Sequence, residues 1–175
     1  RRVLFRSVDT AAGISPGTLQ LVQAAQHVLV VVCDEPASIT DAYASIKALR
    51  NEFGIRRFRI VTNMTRRDGA GERLFATLNK VSARFLDVVL EHSADLREDE
   101  LLRRAIRLQR LVIEEFPDAV SSIGLRNLAA RCLDWPLPHG PRGNIEFFVE
   151  RSLKKPPLRL QVDRKSTRLN SSHEW

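Results

Sequence analysis

HVLVVVC, which spans His27 to Cys33, is the stretch that decides the fold. It is a short, unbroken apolar run rich in β-branched residues, the pattern of a strand that is covered on both faces in a parallel sheet. We therefore expect it to be a central strand. After the turn Asp34-Glu35-Pro36, Ser38 and Asp41 have the S-x-x-D spacing of a helix start. The helix should close at Gly54, and its apolar face is Ile39, Ala42, Tyr43, Ile46 and Leu49.

Strands and helices alternate along the rest of the chain. Patterning predicts strands at 58–62 and 86–90 and helices at 72–85, 99–116 and 121–133. The strand at 58–62 ends at Asn63. The apolar face of the helix at 72–85 is Leu74, Phe75, Leu78, Val81 and Phe85. This order demands right-handed crossovers. The expected fold class is therefore α/β, with a doubly wound parallel sheet.

Both ends of the chain carry one foreign DNA signature. Residues 1–7 (RRVLFRS) can be encoded by AGA CGT GTG CTC TTC CGA TCT, and the reverse complement, read from its second base, encodes residues 163–169 (DRKSTRL). The string fits a widely used sequencing-library adapter, and a chance basic tail at each end is the alternative. We expect 1–7 and 163–175 to be translated adapter, 8–151 to be native and 152–162 to be ambiguous.

The charge balance changes once these ends are set aside. The whole chain has 28 basic and 21 acidic residues, whereas 8–162 has 22 and 19. A surplus of three is ordinary, so no nucleic-acid partner is expected, and the arginines of 97–110 are interpreted as a solvated helix face. Cys33 and Cys132 fit buried, reduced thiols of the cytosol. Neither a metal-ligand spacing nor a membrane span is present.

DTAAGI, residues 9–14, is the sharpest candidate for chemistry. It would follow a strand, at the sheet edge where ligands bind in α/β folds. Asp9 there could hold Mg²⁺ through water, and Gly13 would let a backbone N–H approach a phosphate. Taken alone, the motif is equally an ordinary turn.

Three segments together resemble the MinD/ParA family of deviant-Walker ATPases: DTAAGIS at 9–15, VVVCDEPASITDAY at 30–43 and VTNM at 61–64. CDEPASITDAYASIK, RFLDVVL and DWPLPHGPRGNIEFFVER are similar to the FleN/FlhG branch of flagellar-number regulators. The resemblance covers 8 to about 151. It implies that this stretch is the C-terminal part of a P-loop NTPase domain.

The resemblance implies a nucleotide site. Asp9 would be the Mg²⁺-side carboxylate, and Ala12 and Gly13 the segment that senses the γ-phosphate of ATP. Asn63 would bind the adenine edge, because its amide offers both a donor and an acceptor. A capping role at the strand end is the alternative for Asn63.

It also implies a surface for partners. Glu35 would face the other subunit of an ATP-bound homodimer, with Asp41 nearby on the partner-binding surface. Exposed acids at a helix start also favour the helix dipole without any partner, which is the alternative here.

One part of the family pattern is missing. The Gly-rich P-loop with its lysine should precede Asp9, and nothing in the chain resembles it. We therefore expect a partial sheet that lacks its N-terminal strand and P-loop, no catalytic residue in this chain, and no hydrolysis. The family's proline before the acidic turn is also missing from 95–99, so Asp99 is predicted only as a helix N-terminal charge.

By resemblance, the intact parent is a cytoplasmic, ATP-dependent switch that sets flagellar number or placement as an antiactivator. Its partner would be a flagellar transcription activator or the flagellar GTPase. Residues Ile145 to Leu153 are expected to dock on the protein itself, with peripheral contact to the inner membrane or cell pole as the alternative. Two other functions stay open: a MinD/ParA-like ATPase that positions division or DNA cargo, and a non-catalytic protein-binding module.

Overall fold

The computed structural model describes residues 7–10, 15, 18, 21, 22 and 25–136. The chain divides into two compact units, Arg1–Gly143 and Asn144–Trp175, and every described residue lies in the first. The predictions for the linker after Pro136 and for the segment around Ile145 to Leu153 lie outside the described residues.

Helices connect three parallel strands in the described part of the chain, and three more helices follow the last strand. The strands are β1 (Leu29–Cys33), β2 (Arg57–Thr65) and β3 (Val89–Arg97), in the spatial order β1-β2-β3. The helices are α1 (Pro36–Phe53), α2 (Ala70–Phe85), α3 (Glu100–Arg107), α4 (Val112–Glu115) and α5 (Val120–Leu133). The predicted parallel α/β class is confirmed.

One face of the sheet, here called the first face, packs under α1 and α2. Val32 of β1 and Phe58 and Ile60 of β2 are fully buried there against Ile46 of α1 and Leu78 of α2. Their regular alternation along the strands is what places them on one side. The larger of the two hydrophobic clusters among the described residues therefore lies on the first face.

The opposite, second face is only partly covered. Helix α5 packs over β3, where Arg131 Nη1 donates to the Ser93 carbonyl at 2.7 Å. On β2 the buried Arg59 lies 4.3 Å from the Trp135 ring centroid. On β1, however, Leu29 and Val31 are 40% and 54% exposed. The prediction of a central strand at 27–33 is wrong for the described sheet, where β2 is central and β1 lies at an edge.

Helix α1 forms as predicted but begins differently. Pro36 occupies the first helical turn, Glu35 is the N-cap residue without a side-chain cap, and Gly54 ends the helix with φ 68°. Proline at N1 has no amide hydrogen to satisfy, so the helix begins before Ser38. The Ser38 hydroxyl instead accepts from the Cys33 N–H at 2.9 Å. The predicted S-x-x-D start is therefore wrong.

Three later predictions also need correction. The third strand is not 86–90 but Val89–Arg97. Its sequence is too polar to be recognised as a strand, and it pairs on one side with β2. Val81 and Phe85 of α2 are 38% and 63% exposed. The single helix expected over 99–116 is split into α3 and α4, because Gln109 adopts φ 54°. Such a left-handed residue ends a helix.

Candidate functional site

The carboxyl ends of the three strands meet at one edge of the sheet. Cys33, Asn63 and Leu96 are register partners across β1, β2 and β3. In open α/β sheets ligands bind at this edge. It is therefore the place to look for a site.

Asn63 lies at this carboxyl edge, half-buried within the last residues of β2. Its side-chain amide forms no hydrogen bond with any other described residue. No described residue therefore takes up its donor or its acceptor. The sequence placed it one residue after a strand, whereas β2 continues to Thr65.

The two acidic residues assigned to a partner surface both lie on exposed positions. Glu35 is two residues beyond the end of β1, and Asp41 is on α1. Within the described part of the chain, neither takes part in an ion pair. Their charge is therefore presented to solvent, Glu35 at the same edge as Asn63.

The phosphate-side residues are described only in part. Asp9 is exposed, and Ala12 and Gly13 lie outside the described residues. No hydrogen bond or ion pair between described residues joins Asp9 to Asn63 or Glu35. Across the ranges that the structure describes, no group of three or more His, Cys, Asp or Glu side chains is placed to hold a metal ion.

A partly buried polar cluster lies beside Asn63, and the sequence did not predict it. Thr62 Oγ1 and Thr65 Oγ1 both donate to Asp95 Oδ1, at 3.1 and 2.8 Å. His92 Nε2 lies 3.1 Å from Thr62 Oγ1. We call these four residues the threonine–aspartate cluster. Its strand residues His92 and Asp95 fell outside the third strand predicted from the sequence, so their facing β2 could not be foreseen.

The first turn of α2 closes over this cluster. A Cβ atom on Gly71 would lie 2.5 Å from Asp95 Oδ1 and 2.6 Å from Thr62 Oγ1. One turn later, Phe75 stacks on the His92 ring with centroids 5.0 Å apart. Gly71, inside the first turn of α2, is therefore required for close packing.

The acidic turn after β3 joins two helices. The Asp99 carboxylate accepts from the Leu101 N–H at 2.8 Å, and from the Ser121 N–H and hydroxyl at 2.9 and 2.8 Å. Burial acts to raise the pKa of Asp99, but these hydrogen bonds outweigh it and lower the pKa below its ordinary 3.8. The prediction of a helix N-terminal charge is confirmed, and Asp99 additionally holds the start of α5.

The arginines of 97–110 are mostly committed to nearby acids. Arg103 pairs with Glu98 and Glu100, and Arg107 Nη2 lies 2.7 Å from Glu100. These are exposed pairs on a helix surface. Their arrangement matches the predicted solvated face.

Both cysteines are free and half-buried. Burial raises the pKa of the Cys33 thiol, and Glu35 adds to the effect; burial also raises that of Cys132. A raised pKa keeps a thiol protonated and unreactive at neutral pH. The prediction of free thiols fits, although both side chains are half-buried and not buried as expected.

No helix in the described ranges has both the length and the apolar character needed to cross a membrane.

Comparison with curated proteins finds two flagellar relatives. The chain is 50% identical over 149 residues to the antiactivator FleN of Pseudomonas aeruginosa, which covers 85% of this chain and 53% of FleN. It is 27% identical over 152 residues to the flagellum site-determining protein YlxH of Helicobacter pylori, covering 84% of this chain and 51% of YlxH. The chain thus spans about half the length of the curated relatives it matches.

Comparison with solved structures supports the same fold. The MinD cell division protein of Aquifex aeolicus superposes with a TM-score of 0.56 at 20% identity, over 72% of this chain and 51% of that one. No protein-family model matches the chain. The parallel sheet, the MinD-like fold and the half-identical FleN sequence agree with the motifs at 30–43 and 61–64. The chain belongs to the MinD/ParA family of P-loop NTPase folds, in its FleN/FlhG branch.

Proposed function

We propose that this chain is the C-terminal part of an ATP-dependent, dimerising switch that regulates flagellar number or placement as an antiactivator of flagellar gene expression. The observation that carries the proposal is the 50% identity to the antiactivator FleN over 85% of the chain. The likeness to YlxH, whose name states a role in flagellum siting, supports the flagellar process. The intact protein would act in the cytoplasm on a flagellar transcription activator or GTPase, with peripheral contact to the inner membrane or cell pole open.

Adenine binding is assigned to Asn63. Its amide lies at the carboxyl edge and has no hydrogen-bond partner in the described structure, so an adenine edge would satisfy one donor and one acceptor there. The amide chemistry and its placement fit the base of ATP, whereas the described residues contain no cradle for its phosphates. ATP, when bound, supplies the phosphate bond whose hydrolysis ends the switched-on state.

The phosphate side is assigned to Asp9, Ala12 and Gly13. Asp9 would hold Mg²⁺ through water, as a carboxylate on a hard cation does, and the Gly13 backbone could approach the γ-phosphate without a Cβ in the way. The P-loop would come from the part of the parent that precedes 8–151, with 1–7 and 163–175 contributed by adapter. The 175-residue chain alone is therefore expected to show no ATP turnover.

Dimer and partner contacts are assigned to two exposed acids, Glu35 at the N-cap of α1 and Asp41 within the helix. Glu35 follows β1 at the carboxyl edge, where Cys33 is the register partner of Asn63, so a basic group of a second subunit could meet it near the nucleotide. Asp41 extends the acidic surface along α1. Exposed and unpaired within the described structure, both are available to a partner.

The test begins with the DNA upstream of residue 8 in an independently sequenced genome. It should encode a Gly-rich loop of the K-G-G-x-G-K-[ST] type, and different residues should replace 1–7. The full-length protein should then bind ATP and form dimers with it, measured by calorimetry and analytical ultracentrifugation. Asn63→Ala should weaken ATP binding about tenfold or more, because a ligand hydrogen-bond pair is lost.

Asn51→Ala is the matched control, since Asn51 is exposed near the far end of α1 and its loss should leave ATP affinity unchanged. Glu35→Ala should reduce the dimer fraction with ATP, while Glu52→Ala, an equal change of charge on the same helix, should not. An upstream sequence without a Gly-rich loop would favour a non-catalytic protein-binding module instead.

A further inference from the structure

The threonine–aspartate cluster exists because β2 contains one extra residue. Thr62 and Thr65 are three apart, so on a regular strand their side chains would point to opposite faces. The register steps from Asn63↔Leu96 to Thr65↔Arg97, which leaves Met64 as a bulge with φ 58°. A bulge of this kind turns the following residue onto the other face. Both hydroxyls consequently point to the first face.

Strand β3 carries a compensating bulge. The register steps from Ile60↔His92 to Val61↔Ala94, so that Ser93 is the extra residue. His92 and Asp95 are also three apart, and this bulge brings them to the same face as the two threonines. Each strand has one extra residue, and the pairing beyond them is restored.

Hydrogen bonding ties the two bulged strands together at one carboxylate oxygen. Thr62 and Thr65 are both fully buried, and a buried hydroxyl without a partner is costly. Asp95 Oδ1 accepts from both. With its proton given to Asp95, the Thr62 oxygen can accept from the His92 ring N–H at 3.1 Å. Asp95 is the shared acceptor at the centre of the cluster.

The cluster is closed from above by α2. Gly71 leaves no room between the helix and Asp95, and Phe75 covers His92. Asp95 is thus held by hydrogen bonds along the sheet and by packing across it. Its position cannot shift without moving α2.

Asn63 and Met64 lie between the two threonines that Asp95 holds. The backbone on both sides of Asn63 is therefore fixed from the first face, while strand alternation turns the Asn63 amide to the second. Met64 is 42% exposed and contributes little packing of its own. The point from which the Asn63 side chain extends therefore depends on the cluster.

Resting on the proposed function, we infer that Asp95 is a positioning residue: through Thr62 and Thr65 it holds the Met64 bulge so that the Asn63 amide selects adenine over guanine nucleotides. Adenine offers a ring acceptor beside an amino donor, whereas the matching guanine edge offers two acceptors. Asn63 distinguishes them when its side chain starts from a fixed point facing that edge, so that its oxygen accepts from the amino group while its nitrogen donates to the ring acceptor. If the bulge loosens, the amide can shift along the guanine edge and donate to one acceptor without an unfavourable contact at the other.

The experiment measures the dissociation constants of ATP and GTP for the full-length protein that contains this chain. Asp95→Ala and Thr65→Val should reduce the preference for ATP over GTP about tenfold or more, roughly the value of one hydrogen bond. Asp95→Asn keeps an oxygen acceptor and should retain the preference within about threefold. Trp135→Ala, a change on the second face away from the cluster, is the control for simple destabilisation and should leave the ratio unchanged.

A second readout needs no nucleotide. In the 175-residue chain, amide hydrogen exchange of Met64 and Thr65 should be faster in Asp95→Ala and Thr65→Val, but not in Trp135→Ala.

The outcomes separate this inference from the proposed function. If Asn63→Ala removes the preference while Asp95→Ala and Thr65→Val keep it, the positioning role is overturned and adenine binding by Asn63 stands. An equal loss in Asp95→Asn and Asp95→Ala overturns the acceptor role of Asp95. If the unaltered protein does not bind ATP, or Asn63→Ala leaves the preference intact, the nucleotide role of Asn63 fails and this inference fails with it.

Discussion

The two faces of the sheet are built on different principles. The first face is mainly an apolar core of side chains from β1, β2, α1 and α2, with the threonine–aspartate cluster at its carboxyl edge. The second face is held by a few specific contacts: Arg59 under Trp135, Arg131 on the Ser93 carbonyl, and Asp99 on the start of α5. Beside them Leu29 and Val31 of β1 are exposed.

This difference indicates which face contributes most to the stability of the described fold. Apolar burial stabilises in proportion to area, so the first face carries most of the folding free energy of the described residues. Arg59, in contrast, is buried with its Nε lacking a hydrogen-bond partner in the described structure, although Glu91 lies 3.3 Å from its Nη1. Substitutions on the two faces should therefore differ in size and in kind.

The largest expected effect tests the apolar face directly. Phe58→Ala removes a fully buried ring from the first face and should lower the free energy of unfolding by about 3–5 kcal/mol. Val31→Ala, on the exposed part of the second face, should cost no more than about 0.5 kcal/mol. Urea unfolding of the 175-residue chain gives both values. Similar losses for the two would show that the faces are equally packed, contrary to this comparison.

A pair of glycines sharpens the comparison. Gly71→Ala should destabilise by about 1–3 kcal/mol, because the new Cβ would meet Asp95 and Thr62 at distances near 2.5 Å. Gly124→Ala in α5 would bring a Cβ to 3.0 Å from Leu96 Cδ2, the end of a flexible side chain. The gain in helix propensity, up to about 1 kcal/mol, should offset that contact.

Thermal unfolding of both glycine variants measures the difference. If Gly71→Ala is as stable as the unaltered chain, α2 does not pack as closely over the threonine–aspartate cluster as the distances indicate.

Sequence patterning predicts the first face better than the second. The apolar run at 27–33, the spacing of Ala42, Ile46 and Leu49, and the helix end at Gly54 are local signals. The structure confirms a strand within that run, though not a central one, and confirms the helix face and its end. Most of β3 was not predicted, because residues such as Glu91, Ser93 and Asp95 do not have the apolar pattern of a strand. They form a strand only because β2 supplies backbone partners, which is tertiary context that propensity does not contain.

The candidate site divides in the same way. Asn63 and Glu35 could be located at the carboxyl edge because each lies next to the end of a recognisable apolar run. The threonine–aspartate cluster could not, because it requires two bulges whose positions depend on pairing between strands. The one local hint of a bulge is the Thr-x-x-Thr spacing within a strand. On a regular strand these two threonines would face opposite sides of the sheet and could not share one partner.

The smallest expected effect concerns Asp99, whose carboxylate holds the start of α5 on the second face. Asp99→Ala removes the cap of α3 and the acceptor for Ser121 at the start of α5, and should cost about 1 kcal/mol at pH 7. Because hydrogen bonds lower the pKa of Asp99 in the folded state, protons bind more weakly to the folded chain than to the unfolded one. The stability from Asp99 is therefore complete above its ordinary pKa of 3.8 and is lost as pH falls through the lower folded-state pKa.

Chemical unfolding measured from neutral pH to below pH 3.8 should show the free energies of unfolding of the unaltered chain and of Asp99→Ala converging as the pH falls. Asp118→Ala removes an equal charge from an exposed position and should give no such convergence, which separates the specific hydrogen bonds from the change in net charge. Hydrogen exchange in Asp99→Ala should quicken at the amides of α5 and remain slow in the core of the first face. Equal quickening on both faces would mean that they unfold as one unit, and that the second face is not separately fastened by Asp99.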